Sequence, residues 1–247
     1  MQTTVDGIVL SSKKIEGNRI LTILTGESGL VSAFANRAGS VRSRIAASTE
    51  VLSYSRFVLF SYRGRTVVDK ADSNRIFFGI RKDYVSLCLA SYFAQLSAEL
   101  LAVDEPAHEP LRLLLNCLHY LEEGNRDRRL LKGLYELRLL TLTGFMPALV
   151  SCRFCSKYES EAMYFFPQEG DIVCSDCFGE NQPEGGVKLS MGALSAMRHI
   201  IYSPVERLFS FALADGAQDE LHRVCEGYLL CKAERRFSAL DLYKQSS

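Results

Sequence analysis

Cys152, Cys155, Cys174 and Cys177 stand in the spacing C-x₂-C-x₁₈-C-x₂-C. Two knuckles of this kind can place four thiolates tetrahedrally around one Zn²⁺. Between them, Tyr164-Phe165-Phe166, Gln168-Glu169-Gly170-Asp171 and Ile172-Val173 read as strand, turn and strand, which returns the second knuckle to the first. Four protein ligands leave no coordination position for water, so the expectation is one structural Zn²⁺ per chain. Two other readings share the spacing: a pair of redox-active dithiols, or two structural disulfides. A redox dithiol opens a helix whose dipole lowers the thiol pKa, and neither pair precedes a segment that reads as a convincing helix. Cys88, Cys117, Cys225 and Cys231 lie in or near apolar helical patterns and are expected as small core residues.

A second chemistry is carried by arginine. Residues 1–80 hold 11 Lys and Arg against 6 Asp and Glu, whereas the whole chain balances at 29 of each. A basic first part joined to a mildly acidic remainder points to a polyanion as partner. Arg37, Arg42 and Arg44 sit among Gly39, Ser40, Ser43 and alanines with no acidic neighbour in sequence. With Arg19, Arg56, Arg63 and Arg65 they form the candidate nucleic-acid-binding set, and Lys13 and Lys14 complete a possible phosphate track. Guanidinium suits planar phosphate contacts and base stacking. Tyr54, Phe57, Phe60, Tyr62, Phe77 and Phe78 could supply stacking platforms; most must be core, leaving one or two exposed.

Catalysis finds little support in the residues. There is no G-x-x-x-x-G-K-[ST] phosphate loop. His108-Glu109 begins like a zinc-protease helix, but Arg112 occupies the second histidine position and Pro110 breaks the turn. His108, His119, His199 and His222 share no ligand spacing. The expectation is a binding protein and not an enzyme. Met1 to Asp6 contain neither a basic nor an apolar leader segment, and the charge-free run Tyr84 to Ala98 is shorter than the ~20 residues that cross a bilayer. Cysteine usage then points to a reducing compartment, most simply the cytoplasm.

These residues need elements to hold them. Val5–Leu10, Arg19–Leu24, Leu30–Phe34, Val51–Tyr62 and Thr66–Phe78 are apolar runs, the first three separated by the turns Glu16-Gly17-Asn18 and Gly26-Glu27-Ser28-Gly29. Five short strands in under eighty residues predict a small Greek-key barrel over 1–79. Asn36–Thr49 has no strand pattern and reads as a mobile basic connection. After Gly79 the period changes to three and four, and 80–247 reads as an α-helical bundle. Its helices are expected at Val85–Val103, from Pro106 to about Gly124, at Asp127–Leu142, from a Ser190 cap to Tyr202, and at Ala217–Cys231. The zinc module is an insertion at about 150–187. The fold class expected is α+β: a barrel, then a helical domain interrupted by four-cysteine zinc binding.

Assembled in this order, the chain resembles the RecO family of bacterial recombination mediators over essentially its whole length. The resemblance rests first on Gly7-Ile8-Val9-Leu10-Ser11-Ser12, Gly17-Asn18-Arg19-Ile20-Leu21-Thr22-Ile23-Leu24-Thr25 and Gly29-Leu30-Val31-Ser32-Ala33. It continues in Tyr135-Glu136-Leu137-Arg138-Leu139-Leu140 and Gly144-Phe145-Met146-Pro147, and ends in Cys152-Arg153-Phe154-Cys155 and Cys174-Ser175-Asp176-Cys177. It implies an OB-fold followed by a helical domain, and binding of single- and double-stranded DNA with ATP-independent strand annealing. It also implies action with RecR in loading RecA onto DNA coated by single-stranded-DNA-binding protein (SSB). The implied location is the bacterial cytoplasm, at the nucleoid during repair. Lys232, Arg235 and Arg236 beside Phe237 and Leu240 are the sequence's candidate for receiving the acidic, hydrophobic C-terminal tail of SSB. The alternative reading is an adaptor, with OB-fold and zinc ribbon binding RNA or protein partners.

Overall fold

The computed structural model describes residues 2–40, 43–62, 64–181 and 183–246. Five strands, β1 (Gln2–Ile15), β2 (Asn18–Thr25), β3 (Gly29–Ala35), β4 (Ser53–Tyr62) and β5 (Arg65–Ile76), close into a barrel in the order β1-β2-β3-β5-β4. This is the Greek-key order of an OB-fold. β1 is long because it serves two neighbours. Its first half pairs with β4 (Gln2 with Phe60 to Ile8 with Tyr54) and its second half with β2, ending at Ile15 with Asn18. A bulge between Val9 and Ser11 bends the strand from one partner to the other. Gly7 lies on the bend, where a β-carbon would stand 2.7 Å from Ile23 Cγ2 and 2.9 Å from the Leu24 carbonyl. The circle is completed by a parallel pairing of Phe34 with Val67.

Val5, Val9, Leu21, Ile23, Ala33, Ala35, Phe57, Leu59, Val68 and Ala71 fill the barrel. Ala38 and Ile45, from the connection between β3 and β4, pack onto the same cluster. That connection is therefore held down where the structure describes it, in contrast to the mobile loop expected. It ends in a 3-10 turn at Ala47–Thr49, whose Ser48 and Thr49 are buried.

By its contacts the chain divides into two compact units, Met1–Asn125 with Phe237–Ser247, and Arg126–Arg236. The change from strand to helix comes near residue 80, but the helices that follow are shared between the units. α1 (Tyr84–Leu100) and α2 (His108–Glu123) belong with the barrel. The Asp83 side chain caps α1 by accepting from Ser86 N at 2.8 Å, and Gly124 ends α2 in the left-handed conformation. A further helix, unexpected from the sequence, returns from the far end of the chain at Ser238–Ser246 (α7 in chain order). Its Leu240 and Tyr243, with Phe237 just before it, are buried. Phe237 meets Tyr92 edge-on at 6.3 Å, and Gln95 Oε1 accepts from Ala239 N at 2.8 Å, fixing α7 on α1.

In the second unit α3 (Arg128–Leu142), capped by Asp127, packs against α5 (Met191–Tyr202) and α6 (Asp215–Ala233). Ser190 caps α5 through Ala193 N as its position predicts. Every residue from Leu130 to Leu140 is buried, including Lys132 and Glu136. Lys132 Nζ lies 2.7 Å from Glu136 and 2.8 Å from Glu226, so the buried charges are paired, as burial requires. Arg138 donates to the carbonyls of Ile200 and Ile201 at 3.0 and 2.7 Å, supplying partners for the open end of α5. Between α3 and α5 the chain builds a small sheet, β6 (Ala148–Cys152), β7 (Met163–Phe166), β8 (Asp171–Cys174) and β9 (Val187–Leu189), ordered β6-β8-β7-β9. A short helix, α4 (Ser175–Asn181), follows β8. Cys88, Cys117 and Cys225 are buried core residues, as expected, whereas Cys231 is only half-buried.

Because α7 seats its apolar side on α1, Phe237→Ala is expected to destabilise the first unit by about 3–5 kcal/mol. Urea unfolding followed on a probe in the barrel would measure it. A loss below about 1 kcal/mol, the size of an ordinary surface substitution, would show that α7 contributes no core.

Candidate metal centre and nucleic-acid interface

The second unit brings the two cysteine pairs together. The sulfurs of Cys152, Cys155, Cys174 and Cys177 all lie within 4.8 Å of one another, with Cys155 Sγ and Cys174 Sγ 3.6 Å apart. A tetrahedral ion with metal–sulfur bonds of about 2.3 Å needs sulfurs roughly 3.8 Å apart, so the donor set fits one such ion. The sulfurs form one cluster and not two separate pairs. Burial pushes the Cys152 thiol up, but N–H groups of Cys174, Cys155 and Phe154 directed at its sulfur outweigh that and bring it to about 6. Burial and the neighbouring thiols hold Cys177 well above the usual thiol range. Four thiols this crowded cannot all ionise without a cation among them, which is the electrostatic case for a metal.

The scaffold around the cluster is built in layers. In the first knuckle Cys152 N donates to the Lys157 carbonyl at 2.9 Å, and Ser156 takes the left-handed conformation that tightens the loop. Antiparallel pairing of β7 and β8, from Met163 with Cys174 to Phe166 with Asp171, carries the second knuckle back, as the strand-turn-strand reading requires. Contrary to that reading's companion, the second pair does open a helix: Cys177 lies in the first turn of the seven-residue α4. Segments that short carry little periodicity, so the sequence hid it. Two ion pairs cross between the knuckles, Arg153 with Asp171 at 3.1 Å and Lys157 with Asp176 at 2.5 Å. Arg198 on α5 is the main brace, and sequence reading missed it. It donates to the carbonyls of Leu149, Val150 and Tyr158 at 2.8, 3.1 and 2.8 Å, and its guanidinium lies 4.0 Å over the Tyr158 ring. A lone arginine on a helical face carries no sign of this; only the packing of α5 against β6 creates it.

The arginines of the first unit do not form a single set. Arg42 and Arg63 lie outside the described residues. Arg19 is a correction: it shares the parity of Leu21 and Ile23, so its side chain starts from the barrel interior and is only 5% exposed. Its guanidinium donates to the Thr49 carbonyl at 3.1 Å and pairs with Glu50 at 2.5 Å. It pins the end of the β3–β4 connection and has no surface to give a phosphate. Arg56 is exposed but held by both oxygens of Asp6, each at 2.9 Å. That hydrogen-bonded pairing keeps the Asp6 carboxyl below the usual carboxylate range. Arg37, Arg44 and Arg65 are exposed, as are Lys13 and Lys14, and none has an ion-pair partner among the described residues. Arg37 is in the left-handed conformation with its N–H donated to Asn18 Oδ1 at 2.8 Å. Gly39 N donates to the Gly17 carbonyl at 3.0 Å, which fastens the connection to the β1–β2 turn. A depression of about 380 Å³ lies there, lined by Glu16, Gly17, Asn18, Arg37, Ser40 and Ser43.

Closure also decides which strand aromatics face outward. Phe57 is core, whereas Phe60 is exposed; beyond β5, Phe77 is buried and Phe78 exposed, and Tyr62's side chain is outside the described residues. The strand pairings place Lys13, Ile20, Phe34, Val67, Phe60 and Gln2 in one row across the barrel exterior. Ser11, Thr22 and Ser32 form the next row, with Ser11 Oγ donating to Thr22 Oγ1 at 2.9 Å. Ile20, Phe34 and Val67 were not singled out by sequence, because outward apolar residues alternate with polar ones as any barrel strand does. At the other end of the chain, Phe237 and Leu240 are buried and Lys232 donates to the Gln168 carbonyl at 2.6 Å. The apolar half of the tail-receiving patch expected there is thus committed to the core.

The family comparison follows the same division. A family described as Recombination protein O N terminal matches residues 1–74, and one described as Recombination protein O C terminal matches residues 81–241. The chain belongs to the RecO family. Among curated RecO relatives, a DNA repair protein RecO of Acetivibrio thermocellus is 33% identical, covering 96% of this chain and 94% of its own length. One from Symbiobacterium thermophilum is 32% identical over 96% of this chain and 94% of its own length. Another, from Rubrobacter xylanophilus, is 32% identical over 92% and 90%. Three passages that carried the RecO resemblance build the barrel: residues 7–12 lie on β1, 17–25 form the first turn with β2, and 29–33 lie on β3. Among the described residues, no helix is long and apolar enough to cross a membrane.

Two outcomes are expected from this geometry. Cys152→Ser should lower bound metal from one ion per chain and lower the melting temperature of the second unit, read by elemental analysis alongside thermal unfolding. Metal lost without any change in melting would refute a structural role. Arg198→Ala should destabilise the same unit by roughly 2–4 kcal/mol, because three buried carbonyls lose a charged donor. An unchanged unfolding midpoint would mean that water replaces the guanidinium without cost.

Proposed function

We propose that this chain is a DNA-binding recombination mediator in recombinational DNA repair, with the barrel exterior as its DNA surface. The observation that carries the reading is the outward row from Lys13 to Phe60, bordered by the exposed Arg37, Arg44 and Arg65, in a chain that belongs to the RecO family. Bringing two complementary strands together requires that phosphate repulsion be offset while base edges stay free. Exposed guanidiniums beside an apolar platform supply both, without nucleotide and without a catalytic residue. The contacts are sequence-independent and serve single- and double-stranded DNA alike. In this reading the protein anneals strands without ATP and, with RecR, helps load RecA onto SSB-coated single strands in the bacterial cytoplasm.

The ion in the four-cysteine cluster is zinc in this reading, one per chain. Four thiolates in a tetrahedral set suit Zn²⁺, and a site closed by protein ligands braces the fold. Its work is to hold β6, β8 and α4 in place.

The test is annealing of complementary labelled oligonucleotides without nucleotide, on naked and SSB-coated strands, at two salt concentrations. Salt-sensitive annealing that persists on coated strands is the expected result. No annealing, with DNA affinity no better than an equally charged control, would overturn it and favour an RNA or protein adaptor. Replacing Arg37, Arg44 and Arg65 together with Ala should weaken binding uniformly across sequences. It should also reduce the slope of log K against log salt by about 2–3, at 0.7–0.9 per phosphate contact. An unchanged slope would remove these residues from the interface.

A further inference from the structure

One of the eight cysteines stands apart by its exposure. Cys88, Cys117, Cys152, Cys174, Cys177 and Cys225 are buried and Cys231 is half-buried, but Cys155 is exposed. It sits in the first knuckle, where every residue from Arg153 to Glu159 is exposed, so a small molecule in solution reaches it without opening the fold. Its sulfur is also 3.6 Å from that of a buried cysteine, Cys174, inside the four-sulfur cluster. A disulfide holds its sulfurs at about 2.05 Å, so bridging the two requires an approach of roughly 1.5 Å. Cys174 ends β8 and is paired with Met163 on β7, whereas Cys155 lies on a loop beside the left-handed Ser156. The movement therefore falls to the exposed side.

Reversible oxidation of a cysteine needs an accessible thiolate to meet the oxidant and a second thiol within reach to capture the product. Cys155 and Cys174 supply one each. We propose that Cys155 is a modification site for hydroperoxides, and that its oxidation bridges it to Cys174 and empties the metal site. The inference rests on the zinc reading above, because sulfurs that ligate a metal are thiolates. With hydrogen peroxide the Cys155 thiolate attacks the O–O bond. A sulfur–oxygen bond forms, and hydroxide departs and takes a proton from solvent to become water. The Cys174 thiolate then attacks the Cys155 sulfur of this sulfenic acid. A sulfur–sulfur bond replaces the sulfur–oxygen bond, and the second hydroxide is likewise protonated to water. Each sulfur has given up one electron and the peroxide has accepted two. Cys152 and Cys177 remain, too few to close a tetrahedral site. Cys152 at the end of β6 and Cys177 in α4 thus lose their common tie, while the Arg153–Asp171 and Lys157–Asp176 pairs and the Arg198 contacts persist. The second unit loosens without unfolding, and a thiol reductant with zinc restores it.

The experiment treats the full-length protein, purified under reducing conditions, with hydrogen peroxide. Released metal is followed with a chromogenic chelator, and disulfides are mapped by mass spectrometry of non-reduced peptides. Cys231, whose thiol donates to the Pro167 carbonyl at 3.4 Å, is an internal control outside the cluster. The expected result is one zinc per chain before treatment, released in step with a Cys155–Cys174 disulfide and a lower melting temperature, all reversed by dithiothreitol and zinc. Three cysteines and one histidine form an ordinary zinc set, so Cys155→His should retain the ion. Without the exposed thiol it should release zinc at least about tenfold more slowly than the wild type, as susceptibility follows exposure. Zinc retained while Cys231 is oxidised would overturn the proposal and leave the zinc reading standing. A bridge that omits Cys155 or Cys174, or equally fast release from Cys155→His, would overturn it too. No metal before peroxide is added would overturn the zinc reading, and the proposal with it.

Discussion

Closure of the five-stranded sheet is the constraint from which most of the first unit follows. A strand has only two faces, and once the sheet joins on itself one face must be interior and the other exterior. The bulge in β1 and the single bridge between Phe34 and Val67 bring the two edges together. Every later assignment is then a matter of parity. Leu21 and Ile23 point inward, so Arg19 does too and must find partners at the barrel's end. Phe57 and Leu59 point inward, so Phe60 is left outside between Val67 and Gln2. Arg37 and Arg44 owe their position to the same closure, because the β3–β4 connection is laid along the barrel by Ala38, Ile45 and the Arg19 contacts.

The second unit solves a different problem. Its sheet has strands of three to five residues, too short for backbone pairing to hold by itself. Cross-links from side chains take the place of length. The cysteine cluster ties the ends of β6 and β8, and the Arg153–Asp171 and Lys157–Asp176 pairs run parallel to that tie. Arg198 anchors the first knuckle to a helix that is itself held by Arg138 through its final carbonyls. The charged groups of this unit are thus largely occupied with one another or with backbone. Those on the barrel's connection and strand ends are not, and that contrast separates a scaffold from a surface.

Legibility in the sequence tracked the range over which each signal acts. Cys-x₂-Cys pairs, the turns Glu16-Gly17-Asn18 and Gly26–Gly29, and the Ser190 cap are short-range patterns, and each lies where it was read. The strands themselves came within a few residues of their limits, apart from β1, which extends at both ends because β4 and β2 each need half of it. What stayed hidden depends on partners far away in sequence. Arg19 could not be told from a surface arginine without Glu50 beside it, and Arg198 needed the carbonyls of a segment forty residues earlier. α7 is short and amphipathic with Arg235 and Arg236 just ahead of it, and it makes sense only against α1. The row of Ile20, Phe34, Val67 and Phe60 exists only because four strands lie side by side in one register.

The placement of α7 has a consequence for how the molecule is made. The barrel, α1 and α2 are all encoded before residue 126, and the second unit is encoded as one continuous stretch from 126 to 236. Chains fold largely as they emerge, the earlier parts first. The strip of α1 that receives Phe237, Leu240 and Tyr243 must therefore stay uncovered while the whole metal-binding unit is synthesised. For that interval the nascent chain carries an exposed apolar strip beside an otherwise complete barrel, and the second unit can finish folding before the first does.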